Sequence, residues 1–104
     1  MIQTKNMLVT AITATSSVVS VIRSGGTFQA TILGTGTILA VVIIQGSLDN
    51  TNWIDLGTLN ISNTVLTGGL TLINTVWPLY RCIATLTPGV GSITSVTVNM
   101  GIES

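Results

Sequence analysis

Apolar and polar residues alternate along much of this chain with a period of two, the spacing of a β-strand with one buried face. Phe28, Ala30 and Ile32 share one side of the segment 27–33, opposite Thr27, Gln29 and Thr31. The segment 95–100 repeats this alternation. No window carries a sustained 3.6-residue apolar period, and the abundant Thr, Val and Ile residues favour strands. The pattern therefore predicts an all-β fold.

Eight strands are predicted, separated by short segments rich in Gly, Asn and Ser, which favour tight turns. They cover residues 8–15, 18–23, 27–33, 37–47, 53–61, 67–72, 79–87 and 93–100. About seven or eight short strands in one small chain fit a single antiparallel β-sandwich of Ig-like or jelly-roll topology. We therefore expect one domain over residues 1–104, with room for an extended N-terminal arm at residues 1–7.

The predicted strand 37–47 is apolar on both of its sides. One side carries Ile38, Ala40, Val42 and Ile44, and the other side carries Leu39, Val41 and Ile43. A strand that is apolar on both sides must be covered on both sides, whereas a two-layer sandwich covers only one. We expect the second cover to come either from another subunit or from the chain itself, through a loop or the N-terminal arm.

Charged residues are scarce, which changes how the surface must be interpreted. The chain has three Lys and Arg, three Asp and Glu, and no His, and charged residues make up 6% of it. An ordinary soluble domain has roughly 25%. The mean hydropathy is +0.75. Because few charges are present to keep molecules apart, we expect hydroxyl and amide groups to solubilise part of the surface and neighbouring proteins to cover another part.

The same composition argues against several partners. The longest apolar run, residues 38–44, is far shorter than the roughly 20 residues that a membrane-spanning helix needs. No Lys or Arg cluster is present to neutralise phosphates, so neither a membrane nor a nucleic acid is an expected partner. A secretion signal is not recognisable, and the single Cys82 cannot form an intrachain disulfide. Synthesis in a reducing cytoplasm is expected.

Catalysis and cofactor binding are not expected either. No His is available as a base for a Ser, Thr or Cys82 nucleophile. No polar residues organise a site around the carboxylates Asp49, Asp55 and Glu103. The glycine pairs in segments 34–36 and 89–91 lack the following helix or Lys of a phosphate loop, so they are predicted as hairpin turns.

The segment between the fourth and fifth predicted strands has two interpretations. Asp49, Asn50 and Asn52 can hold a tight turn by accepting nearby backbone N–H groups, and Asn50 tolerates a left-handed conformation. Together with Asp55 the same residues offer oxygen ligands for Ca²⁺. The spacing is not that of a dedicated calcium loop, so a side-chain-stabilised turn is predicted and no metal is expected.

The two tryptophans also leave alternatives open. A small sandwich needs a large ring in its centre, so Trp53 and Trp77 are predicted to pack in the core or at an interface. Alternatively, the rings could form a platform for a sugar, with Asp49, Asn52 or Arg81 as hydrogen-bonding partners. Arg81 is expected to face a partner or to pair with an aspartate.

Three segments together resemble a known group of proteins. A Gln-Gly-Ser-Leu-Asp-Asn-Thr-Asn-Trp hairpin at 45–53 follows the apolar strand, Trp-Pro-Leu-Tyr-Arg-Cys at 77–82 opens a later strand, and a Thr- and Val-rich strand ends at 101. Over residues 27–101 this resembles small phage virion β-sandwich proteins with a G-S-x-D-G-x-N-W hairpin. Asn50 stands where that pattern usually has Gly.

The resemblance implies a virion structural protein, made in the host cytoplasm. A capsid decoration or cement protein is expected, with a tail or head-fibre component of the same class as an alternative. Its partners would be identical subunits and the major capsid protein. The expected contact residues are Leu39, Val41, Ile43, Trp53, Trp77 and Arg81. Two other hypotheses are a carbohydrate-binding module that attaches to a host surface and a bacterial structural subunit outside phage.

Overall fold

The computed structural model contains only β-strands, turns and loops in the residues that it describes. These residues are 2–20, 26–64, 66–72, 77–87 and 89–103. The strands are β1 (Ile2–Thr10), β2 (Ala14–Thr15), β3 (Val19–Ser20), β4 (Gly26–Thr35), β5 (Leu39–Ser47), β6 (Ile54–Ser62), β7 (Thr67–Leu72), β8 (Leu79–Thr87) and β9 (Ser92–Glu103). The predicted all-β class is confirmed. Among the described residues, no helix is long and apolar enough to cross a membrane.

The strands form two antiparallel sheets packed face to face. The first sheet has the order β1-β9-β4-β7, and the second has the order β2-β8-β5-β6, with β3 also paired to β8. If β2 and β3 count as two pieces of one interrupted strand, the two sheets have four strands each. Strands from the beginning of the chain then lie beside strands from its end in both sheets, which is the arrangement of a jelly roll. Of the two predicted topologies, the structure adopts this one.

The N-terminal strand begins earlier than the pattern predicts. Residues 2–7 belong to β1, which pairs with β9 of the same chain, so they do not form an extended arm. The predicted strand 8–15 is instead divided between β1 and β2. The division occurs where the Thr10 hydroxyl donates to the Ile12 carbonyl at 2.6 Å and accepts from the Ile12 N–H at 3.1 Å. Within the predicted strand 18–23, the structure has the short strand β3. The rest of that prediction, residues 21–23, falls in the segment 21–25, which lies outside the described residues.

The core lies between the two sheets and is built by side chains that alternate with outward-facing ones along β4, β8 and β9. All of these are completely buried: Phe28, Ala30, Ile32, Tyr80, Cys82, Ala84, Val96, Val98 and Met100. The rings of Phe28 and Tyr80 meet across the sandwich, with centroids 5.7 Å apart and planes tilted by 51°. Such tilted aromatic pairs add stability beyond the apolar area that they bury.

Most side chains on the outer face of the first sheet carry hydroxyl or amide groups, although the apolar Leu33 and Val9 are also exposed there. Thr27 and Gln29 of β4 are exposed, and Thr31 beside them is half-buried. Their register partners on β9 continue the pattern, since Gln29 lies opposite Asn99 and Thr31 lies opposite Thr97. This face can be hydrated without ionised groups.

Candidate functional site

The outer face of the second sheet carries the apolar residues that the pattern left uncovered. On β5, at the centre of this sheet, Leu39 is 41% exposed, and Val41 and Ile43 are half-buried. Ile83 of β8 lies opposite Ile43 and is also half-buried. We call these four residues the β5 strip. The N-terminal segment does not cover it, because β1 belongs to the other sheet.

The neighbours of the β5 strip on both sides are uncharged. Leu39, Val41 and Ile43 lie opposite Ser62, Asn60 and Thr58 on β6 and opposite Thr87, Thr85 and Ile83 on β8. An outward apolar row flanked by hydroxyl and amide groups can be buried against a partner without desolvating an ion, which would be costly. The strip therefore suits a contact with another protein.

A cluster of polar and aromatic side chains lies at one end of the strip. The Arg81 guanidinium donates to the Gln45 side-chain carbonyl at 2.8 Å, and the Gln45 amide donates to an Asp55 carboxylate oxygen at 2.7 Å. Arg81 also lies over the ring of Trp53, 4.2 Å from the ring centre, as in a cation–π contact. The expected link between Arg81 and an aspartate therefore runs through Gln45.

This cluster has a local cause in the strand pairing. The register between β5 and β6 shifts between Ile44 and Gln45, which brings Asp55 opposite Gln45, and the regular pairing of β5 with β8 places Arg81 on its other side. The bulge places a neutral amide between a cation and an anion on adjacent strands. The cluster carries no net charge, and it holds Trp53 against the sheet at the end of the strip.

Trp77 lies apart from the other expected contact residues. A Cβ atom on Gly46 would come within 2.8 Å of the Trp77 ring, so the ring is packed directly on this glycine. Gly46 is opposite the inward-facing Tyr80, and Trp77 contacts the core. Trp53 and Trp77 therefore lie on opposite sides of the second sheet and do not form one sugar platform. The structure brings together Leu39, Val41, Ile43, Trp53 and Arg81 on the outer side.

The β5–β6 turn is held by Asp49, as predicted. Its carboxylate accepts the backbone N–H groups of Asn52 at 2.8 Å and Thr51 at 2.9 Å, the Asn52 side-chain amide at 2.8 Å and the Ser47 hydroxyl at 3.1 Å. The Asn52 and Thr51 backbone donors, followed by the Asn52 amide, hold the pKa of Asp49 well below its usual range. Asn50 adopts φ = 61°, the predicted left-handed conformation.

The carboxylates of the turn region are engaged in internal hydrogen bonds. Both oxygens of Asp49 accept donors within the turn, and Asp55 accepts the Gln45 amide. Among the described residues, no three His, Cys, Asp or Glu side chains come together as a group that could hold a metal ion. The carboxylates that were considered for Ca²⁺ thus stabilise the turn, in the case of Asp49, and the end of the strip, in the case of Asp55.

Cys82 lies in the core, where burial raises the pKa of its thiol. The neighbouring Ser16 hydroxyl has a smaller, opposite effect on this pKa, and it accepts the Cys82 backbone N–H at 2.9 Å. A protonated, inaccessible thiol is a poor nucleophile. We therefore assign Cys82 a packing role.

Sequence reasoning missed two members of this surface, Ile83 and Gln45. Ile83 had a signal, because it alternates with the inward-facing Cys82 and Ala84 and must point outward with Arg81. Gln45 had none, since its position between Arg81 and Asp55 depends on the bulge. Comparison of the chain with protein-family models, curated proteins and solved structures finds no match.

Proposed function

We propose that this protein is a structural component of a phage virion, a capsid decoration or cement protein that binds its neighbours through uncharged surfaces. The observation that carries the proposal is the β5 strip, an outward apolar row on a central strand that its own chain leaves partly exposed. The hairpin resemblance to small virion proteins supports the same role. Jelly rolls also occur in viral capsid proteins, although a shared fold supports a function only by analogy.

The energetics of such a role follow from the composition of the strip. Burying apolar surface contributes roughly 25 cal/mol for each Å² removed from water. One strip is small, but a virion repeats each contact many times, and linked weak contacts add up through multivalency. Because the strip and its neighbours are uncharged, salt should weaken the binding little.

Cosedimentation with purified capsids that lack the protein tests this proposal. We expect the wild-type protein to saturate the capsids at a fixed ratio. Val41→Lys should abolish saturation, because it places a cation within the strip. Thr31→Lys is the matched control, since Thr31 is also half-buried and faces outward on a central strand, but in the other sheet. No binding by the folded wild-type protein would refute the proposal, and equal binding by both variants would refute the role of the strip.

A groove beside Trp77 supports carbohydrate binding as a second candidate function. It has a volume of about 220 Å³ and is lined by Leu48, Asp49, Asn52, Ile54 and Trp77. An aromatic wall with a few polar groups is a typical arrangement for a small ligand. A glycan array tests it: binding that disappears in Asn52→Ala and persists in Trp53→Ala would place a sugar here, and an array without any signal would exclude the candidate.

A further inference from the structure

The charged residues of the described chain lie towards one end of the sandwich. They are Lys5, Asp49, Asp55, Arg81 and Glu103. The strand register fixes their position, since Glu103 pairs with Ile2 at the start of β1, and Arg81 and Asp55 flank Gln45 near the end of β5. We call this the charged end.

The opposite end, which we call the neutral end, is formed by the described residues between strands at 11–13, 36–38, 63–64, 66 and 89–91. None of the described residues of these loops is charged. Apolar side chains nevertheless extend into solvent here: Val90 is 93% exposed and Ile12 is 72% exposed. An apolar side chain at a loop tip gains stability only when something covers it.

A groove lies beside Val90 at the neutral end. Its volume is about 470 Å³, and its lining includes Ala11, Ile12, Leu86 and Ile93. Gly91, the residue after Val90, also lines it. A protruding apolar side chain and an apolar groove are thus adjacent on the same surface.

The protrusion and the groove are held in a fixed relation to each other. The backbone N–H of Leu86 donates to the Thr13 hydroxyl at 3.0 Å, which ties the β1–β2 loop to β8. On the other side, a Cβ atom on Gly91 would lie only 2.0 Å from the Thr35 carbonyl oxygen, so the β8–β9 turn packs tightly on the end of β4. Neither element has to be ordered on binding, which lowers the entropic cost of a contact.

We propose that the neutral end binds the neutral end of a second copy of this chain about a two-fold axis, with Val90 of each copy inserted into the groove of the other. A two-fold contact uses the same patch on both subunits, so the patch must be complementary to itself. The protruding Val90 and the groove beside it satisfy this condition, because the protrusion of one copy can fill the groove of the other. The contact rests on the proposed function for its role, because it supplies the expected pairing of identical subunits.

The charge distribution favours this occupant. The neutral end brings no ionised groups of the two copies together, so the contact neither opposes like charges nor desolvates an ion. From Ser92 at the neutral end to Met100, which pairs with Lys5, β9 runs about 26 Å at roughly 3.3 Å per residue. This exceeds the Debye length of about 8 to 10 Å, so the charged ends of the two copies are screened from each other.

The size of the neutral end predicts a weak dimer. The molecule measures 41 × 30 × 17 Å, and the twelve residues of β9 account for the long dimension. Each end therefore has a cross-section of only about 30 × 17 Å, which is small for a standard stable interface with roughly 800 Å² of surface buried per partner. Reversible association that depends on protein concentration is expected.

Sedimentation velocity of the purified full chain over a range of concentrations tests the proposal. We expect a reversible monomer–dimer equilibrium that Val90→Asp weakens by about a hundredfold or more, because both inserted side chains are lost and two carboxylates are brought together. Leu48→Asp is the matched control, since Leu48 is also highly exposed, at 69%, but lies at the charged end. It should leave the dimer unchanged.

Three outcomes would overturn the proposal. They are a monomer at every concentration, a dimer that Val90→Asp leaves intact, and a dimer that Leu48→Asp disrupts equally. Circular dichroism of each variant checks that its fold is retained. The proposed function is tested separately: a wild-type protein that stays monomeric but saturates capsids would overturn this dimer and leave the proposed function intact, whereas dimerisation without capsid binding would overturn the proposed function.

Discussion

At the residue scale, Tyr80 combines complete burial with an unused polar group. Its ring packs against Phe28, but in the described structure its hydroxyl has no hydrogen-bond partner. A buried polar group without a partner loses its hydration and gains nothing in return, at a cost of about 1 to 3 kcal/mol.

We therefore expect Tyr80→Phe to leave stability unchanged or to raise it by up to about 1 kcal/mol, because it removes the hydroxyl and keeps the ring. Tyr80→Ala is the contrasting variant and should cost about 3 to 5 kcal/mol through the cavity that it leaves. Urea unfolding measures both. A clear loss of stability in Tyr80→Phe would show that the hydroxyl makes a stabilising contact.

Asp49 gives the protein a pH-dependent turn. Hydrogen bonds in the folded state lower the pKa of Asp49 from its ordinary value of 3.8. A carboxyl whose pKa is lower in the folded than in the unfolded protein contributes stability above the unfolded value, and this contribution is lost as the pH falls towards the folded value.

Asp49→Asn should therefore be less stable than the wild type at neutral pH, and the difference should shrink as the pH falls below about 4. Thermal unfolding at a series of pH values measures this. Thr51→Ala is the control, because the hydrogen bond to Asp49 comes from the Thr51 backbone, which the substitution keeps. A difference between Asp49→Asn and the wild type that is constant with pH would contradict this role of the carboxylate.

Some residue roles were predictable because they depend only on neighbours in the chain. Asp49 and Asn50 act within one turn, so the residue types and their spacing were sufficient. The contact of Arg81 with Gln45 joins strands that are distant in sequence, and the contact of Gln45 with Asp55 depends on a register shift between β5 and β6. No local pattern encodes that shift, so this part of the candidate site was found only in the structure.

At the element scale, β5 has two chemically similar faces with different roles. Ile44 is completely buried between the sheets, whereas its neighbour Ile43 is half-buried on the outer face. The alternation predicted which residue lies on which side, and the structure confirms it. What covers the outer face was not determined by the pattern, because the alternation identifies only which residues share a face.

Ile44→Ala should destabilise the isolated protein by about 2 to 5 kcal/mol, because it leaves a cavity in the core. Ile43→Ala, the matched substitution on the other face, should cost markedly less and should instead weaken capsid binding. Chemical denaturation measures the first effect and cosedimentation measures the second. Equal destabilisation by the two variants would contradict the assignment of the outer face to a partner.

The first strand shows where pattern reasoning reaches its limit. A register shift in β1 between Asn6 and Leu8 breaks the period of two, so the buried Met7 and the half-buried Leu8 do not alternate with polar residues. The sequence pattern therefore predicted that this strand begins at residue 8, whereas it begins at Ile2. By contrast, the predicted bounds of β7 and β8 agree with the structure.

At the scale of the whole molecule, the order of the strands could not be read from the sequence. Local alternation identifies strands, but Ig-like and jelly-roll sandwiches differ only in which distant strands pair. The pairing of β1 with β9 joins the two ends of the chain. The separation of the charged and neutral ends follows from this topology, since it brings Lys5, Asp55 and Arg81 towards one end.

The scarcity of charge predicts a stability that salt hardly changes. We expect the unfolding temperature of the dilute protein to stay nearly constant between about 0.1 M and 1 M NaCl, because screening has few interactions to weaken. Differential scanning calorimetry measures this, with Val90→Asp as a variant that excludes effects of association. A steep fall with salt would show that the cluster of Arg81, Gln45 and Asp55 dominates stability.

The hydroxyl and amide outer face of the first sheet has a consequence for the environments that the protein can tolerate. Thr, Asn and Gln side chains bind water but neither gain nor lose protons under ordinary conditions. The chain also lacks His, the residue whose charge normally changes under mild acidification. A particle coated with this face would keep the same surface hydration from acidic to alkaline media. It would also offer few ionised groups to antibodies or receptors that bind through charge.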